Sequence, residues 1–128
     1  MFIRFVVGAI DRRSGKRRGV FQAAYALRYS GRLAEYDEAR LADALHWFDA
    51  HLRKPSRLTR SRLPHREAQA ICWFKTAAAE HLARAREMQT LLDAYGIGVD
   101  MITSRRPGYI VYEDDHQVAA YPFDETLG

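Results

Sequence analysis

The sequence predicts one α+β domain spanning residues 1–128: an N-terminal strand, three helices and a C-terminal three-stranded antiparallel meander. Together these would form a four-stranded, mainly antiparallel sheet with the helices on one face. Three observations predict it. The opening residues MFIRFVVGAI are apolar on both alternating sets, and apolar residues recur every three to four positions through the middle of the chain. After Gly98 the pattern changes to short β-branched and aromatic runs separated by turn dipeptides. At 128 residues and 48% hydrophobic, the chain has enough apolar material for one core of its own.

In the first strand Phe2/Val6 and Ile3/Phe5/Val7 are apolar on both faces, and only Arg4 interrupts them, as suits a strand inside a sheet. Asp11 to Gly19 is turn-forming. Val20, Phe21, Ala24, Tyr25 and Leu27 then recur at helical spacing, and Gly31 suits the position just past a helix end. The stripe Leu41, Leu45, Phe48 and Leu52 predicts a second helix from about Glu35 to Arg53, with Glu38, Asp43 and Asp49 off the stripe and Pro55 closing it. Lys54 to Leu63 reads as a loop, and Pro64 suits the first turn of a third helix running to about Tyr95. That helix carries Ile71, Phe74, Ala78, Leu82, Ala85, Met88 and Leu92 on one face, with Gly96 as a left-handed stop. Its roughly 30 residues would span about 45 Å, which implies a bend or a projection.

The closing runs Val99 to Ser104, Tyr109 to Glu113 and His116 to Tyr121 are separated by Pro107-Gly108 and Asp114-Asp115, both turn dipeptides. Pairing them as a meander puts Ile110, Tyr112, Ala119 and Tyr121 on one face with Val99 and Met101, assigned to the helices. The other face carries Asp100, Ile102, Tyr109, Val111, Glu113, His116 and Val118, a mixture too apolar for water alone.

Several function classes are excluded by pattern. Arg4 interrupts the apolar opening, no basic segment precedes it and no small-residue cleavage site follows, so a secretory signal is not predicted. No run approaches the roughly 18 apolar residues of a membrane span, and the single Cys72 cannot form an internal disulfide, so a soluble cytoplasmic protein is expected. Gly8 and Gly15 are separated by six residues and Arg17 follows Lys16, so the segment fails the phosphate-loop pattern that needs four residues and then Ser or Thr. His46, His51, His65, His81 and His116 lack metal-ligand spacing, Cys72 has no identifiable base, and Glu113 to His116 are consecutive on a hairpin where their side chains diverge. No catalytic residue, metal or cofactor is therefore predicted. An enzyme would need a site assembled across the fold, for example a deep pocket around His46, His51, Cys72 or His81.

Charge distribution is the remaining signal. Arg12, Arg13, Lys16, Arg17 and Arg18 form one cluster, and Arg53, Lys54, Arg57, Arg60, Arg62 and Arg66 form a second. Removing these 11 from the 20 basic residues leaves 9 against 16 acids, a net of −7, although the whole chain carries +4. The expected function is a small non-enzymatic binding protein that presents these stretches to a polyanion such as nucleic acid, because Arg, Ser and Thr commonly contact phosphate oxygens. The alternative is a homodimer or protein-interaction module. Trp47 and Trp73 fall off their helical stripes, and the outer sheet face offers Tyr109 and Val111, so these four are the interface candidates.

Overall fold

The computed structural model describes residues 1–12, 15–54 and 70–123. The elements along it are β1 (Phe2–Ile10), β2 (Arg17–Gly19), α1 (Val20–Arg28), α2 (Glu35–His51), β3 (Ile71–Lys75), α3 (Ala79–Ala94), β4 (Asp100–Ser104), β5 (Tyr109–Glu113) and β6 (Gln117–Tyr121). The chain is α+β with a mainly antiparallel sheet, as expected, but among the described residues the sheet has six strands rather than four. The predicted loop after Lys54 and the helical start at Pro64 lie outside the described residues.

β1 is the hub of the sheet. Phe2 and Ile3 pair with both β3 and β4, so those strands occupy opposite edges of β1. Val6 pairs with both Gly19 and Asp100, which places β2 on the edge that β3 uses. The sheet therefore runs β4-β1-β3-β6-β5, with β2 beside the distal half of β1. Because β3 and β4 are each antiparallel to β1, they are parallel to one another, and α3 is the crossover between them.

Three expectations are corrected here. The third helix does not pass through Ile71 and Phe74: Ile71–Lys75 is a strand, and the helix that follows it starts at Ala79. The apolar run ICWFK is paired on both sides, by β1 and β6, and those ladder hydrogen bonds override a spacing that also fits a helix. The three-stranded meander is likewise replaced. β5 and β6 form a hairpin, whereas β4 pairs with β1 over five residues from Phe2↔Ser104 to Val6↔Asp100. Arg17–Gly19, read as part of a turn, is the short strand β2.

The face of β1 carrying Ile3, Phe5 and Val7 packs on the three helices, where Ala24, Leu27, Leu41, Leu45, Phe48, Met88 and Leu92 complete the main core. Glu35, Asp37 and Glu38 occupy the first turn of α2, next to its positive dipole end. Helix α3 stops at Gly96, whose φ of 81° is the left-handed conformation a glycine takes without cost.

The opposite face is buried in another way. β4 and β5 lie at the two ends of the strand order, yet only residues 105–108 join them. Five residue steps reach at most about 18 Å, whereas four flat strand spacings already need about 19 Å before any offset along the strands. The sheet must therefore curl, with the helices on its outer side. Pro107 in the link is buried, and inside the curl Ile71, Trp73 and Val118 form a second cluster with Phe2 and Ile102.

Candidate functional site

The site begins with a divergence of two strands. Along one edge of β1, β3 pairs only with Phe2 and Ile3, and β2 takes over from Val6 to Ile10 with a shift of register. Between them Arg4 and Phe5 face a fork rather than a continuous ladder. The fork holds a cavity of about 260 Å³ whose walls include Phe21, Trp73 and Phe74. Its polar lining comes from Arg4, Asp11, Gln22, Cys72 and Gln117.

Arg4 is the unusual member. A strand otherwise apolar on both faces carries a guanidinium that is 8% exposed. Its Nη2 donates to the Arg17 carbonyl at 2.5 Å. Burial lowers its pKa to about 10, while Cys72 and Asp11 act in the opposite direction and Arg17 adds to the lowering. Cys72 is exposed and is among the residues lining the cavity, yet desolvation by the surrounding protein pushes its pKa up, with Arg4 opposing the shift. A thiol held in its neutral form is not an activated nucleophile. The Trp73 indole N–H is buried and has no acceptor among the described residues.

The rim of the cavity connects it to the charge pattern of the sequence. Asp11 opens the β1–β2 connection, in which its N–H donates to the Lys16 carbonyl at 2.7 Å. Leu52 ends α2 just before Arg53, and Ala70 leads into β3. All three line the same cavity. The two arginine-rich connections thus spring from the border of one opening. Arg12, Arg18, Arg53 and Lys54 are exposed. Arg13, Arg57, Arg60, Arg62 and Arg66 lie outside the described residues. Arg17 departs from the expected role of a surface cation, because its Nη2 pairs with Asp100 at 2.6 Å and its Nε donates to the Val7 carbonyl at 2.8 Å. It holds β2 to the sheet.

A second, open cavity of about 580 Å³ lies at the end of α2, lined by Asp49, His51, Arg53, Asp114 and His116. The rings of His81 and His116 stack at 4.2 Å and those of Trp47 and His51 at 4.4 Å, while His81 Nε2 contacts the His51 carbonyl at 2.8 Å. Asp114 accepts the N–H groups of His116 and Gln117 and the Tyr112 hydroxyl, and those hydrogen bonds hold its carboxyl below the usual range although burial alone would raise it. Among the described residues no group of three His, Cys, Asp or Glu is arranged to hold a metal ion. Of the residues named for an assembled enzyme site, Cys72 lines the first cavity and His51 the second, His81 contacts the His51 carbonyl, and His46 is exposed, so the four do not meet in one pocket.

The interface candidates separate as well. Trp73 is on β3, not a helix, and is 1% exposed inside the curl. Val111 is buried rather than on an open outer face, because the β5–β6 register shifts between Ile110 and Tyr112 and turns it toward Ala119 and Tyr121. Trp47 is half-buried, stacked on His51 and covered by the Arg84 guanidinium 5.3 Å from its ring centre. Tyr109 is exposed on β5. Sequence reasoning passed over Arg4 and Asp11 as site residues and named Cys72 only as one wall of an assembled enzyme pocket. The lone cation in a two-sided apolar strand was the available signal, since a buried charge needs a specific reason to be there. The chain matches no family model, no curated protein and no solved structure at a significant level.

Proposed function

We propose that this chain is a small, non-enzymatic nucleic-acid-binding domain of the cytoplasm, with the fork between β2 and β3 at the centre of its binding surface. One observation carries the reading: Asp11, Leu52 and Ala70 border the same cavity, so both arginine-rich connections start from one rim. Two connections that carry 11 basic residues between them and start at one opening, on a chain otherwise net acidic, favour a polyanion there. The test is fluorescence anisotropy with a labelled single-stranded oligonucleotide at increasing salt. Four to six phosphate contacts give a log–log slope of about −3 to −4. Reversing charge in Arg57→Glu, Arg60→Glu and Arg62→Glu together should weaken binding for all sequences alike and flatten the slope. Unchanged affinity in that variant removes the reading.

A second reading, self-association, is favoured by the outer edge of β5. Tyr109 is 67% and Ile110 45% exposed there, and among the described residues β5 pairs only with β6. Sedimentation velocity across a concentration series should then give a dimer that Ile110→Lys dissociates, and a wild-type monomer at every concentration would dismiss it.

A further inference from the structure

We infer that two copies of this chain meet along the outer edges of β5, antiparallel about a two-fold axis at Ile110, with Arg105 of each copy facing Asp115 of the other. The inference deepens the self-association reading above and rests on it. Exposure is the starting point. Tyr109 is 67% and Ile110 45% exposed, and the bulge that turns Val111 inward leaves these two outside. Within β5 the charged residue is Glu113, and Lys75 neutralises it. An edge strand that carries no free charge of its own is the kind that pairs with another chain.

The order of charge along the chain selects a second copy as the occupant. Arg105 lies five residues before Ile110 and Asp115 five residues after it, so a two-fold rotation about Ile110 exchanges the two positions. Each cation then meets an anion, once at either end of the contact. A parallel arrangement would set Arg105 against Arg105 and Asp115 against Asp115, which is repulsive at both ends. Arg105 and Asp115 are exposed, and neither enters an ion pair among the described residues. Their neighbours are committed elsewhere: the Arg106 guanidinium lies over the Phe123 ring at 5.1 Å, and the Asp114 carboxylate holds its own hairpin. The contact has an apolar centre, Ile110 with Tyr109 beside it, and a charged rim, which is the usual anatomy of a protein interface. One short strand from each copy makes a small contact, so the dimer belongs to the weak, transient class.

The experiment is sedimentation velocity on the wild-type chain, Arg105→Glu, Asp115→Arg and the double variant, each from about 1 µM to about 1 mM protein. Either single reversal places like charges at both ends of the dimer and should weaken association at least about ten-fold. The double variant restores opposite charges at both ends, so its dissociation constant should return to within about three-fold of wild type. A wild-type dimer that neither reversal weakens overturns the antiparallel contact, as does a double variant no tighter than the singles. So does a dimer that only one of the two reversals weakens, since both residues belong to one contact. In each of those cases the self-association reading stands if Ile110→Lys still dissociates the dimer. A wild-type monomer at every concentration overturns the contact and the reading together.

Discussion

The two faces of the sheet are buried by different means. On one, three helices lay apolar stripes against Ile3, Phe5, Val7 and Phe74, and sequence-distant residues supply the cover. On the other, the sheet covers itself: a short link between its edge strands draws it into a curl around Trp73, Ile71 and Val118. Burial by helices tolerates gradual loss, since each helix contributes separately, whereas burial by curling depends on a few positions that hold the edges together. The difference shows in where single substitutions should do most harm.

The strongest way to break the comparison is Gly108→Ala. A Cβ there would lie 1.9 Å from the Tyr121 carbonyl oxygen, and the φ of 144° is one that side-chain-bearing residues rarely adopt. The obstacle is backbone, so the link must move, and we expect a loss of more than about 4 kcal/mol in denaturant unfolding. A loss below about 1 kcal/mol would mean that the link does not hold the curl.

Next comes Trp73→Ala, expected to cost about 3–5 kcal/mol, as much as or more than Leu41→Ala under the helices at about 2–5 kcal/mol. Trp73→Phe sharpens the point. It keeps most of the apolar volume and removes an N–H that has no acceptor among the described residues, so it should stay within about 1.5 kcal/mol of wild type in the same assay.

The smallest expected effect is at the hairpin that ends the curl. Asp114→Ala removes the acceptor of two backbone N–H groups and the Tyr112 hydroxyl, which should cost about 1–2 kcal/mol because the carboxylate is half-buried. Its folded-state pKa lies below the ordinary value, so the stabilisation is fully present above about pH 4 and is lost as pH falls through the folded value. Unfolding at about pH 7 and about pH 3 should therefore show the gap between wild type and variant narrowing in acid. A gap that widens would reverse the assignment.

Much of the helical face was legible in the sequence. The two-sided apolar pattern of β1, the stripe of α2, the stop at Gly96 and the Asp114-Asp115 turn are local signals, and each corresponds to an observed element or boundary. The curled face was not. Ile71, Phe74 and Ala78 fit a helical period as well as they fit a short strand, and the alanines at 77 to 79 join that run smoothly to α3. β4 was assigned to its sequence neighbour because hairpins are the common solution, but β1 offered a free edge of five residues across a crossover helix. β2 carries no strand signal in Arg17, Arg18 and Gly19, since it is held by β1 and by the ion pair with Asp100. The candidate site inherits the same opacity. Arg4 and Cys72 border one cavity only because β3 is a strand, and Asp11 and Leu52 join them there only because the sheet forks beside them.

The position of β1 as the hub also shapes how the chain can be made. The strand that pairs with three others precedes all of them in the chain, and β4, with which it pairs over five residues, follows only after residue 99. Until then one edge of an apolar strand has no mate, and α1 and α2 have only part of the surface they cover. Completion of the sheet is therefore a late and concerted event, governed by contacts between strands far apart in the chain.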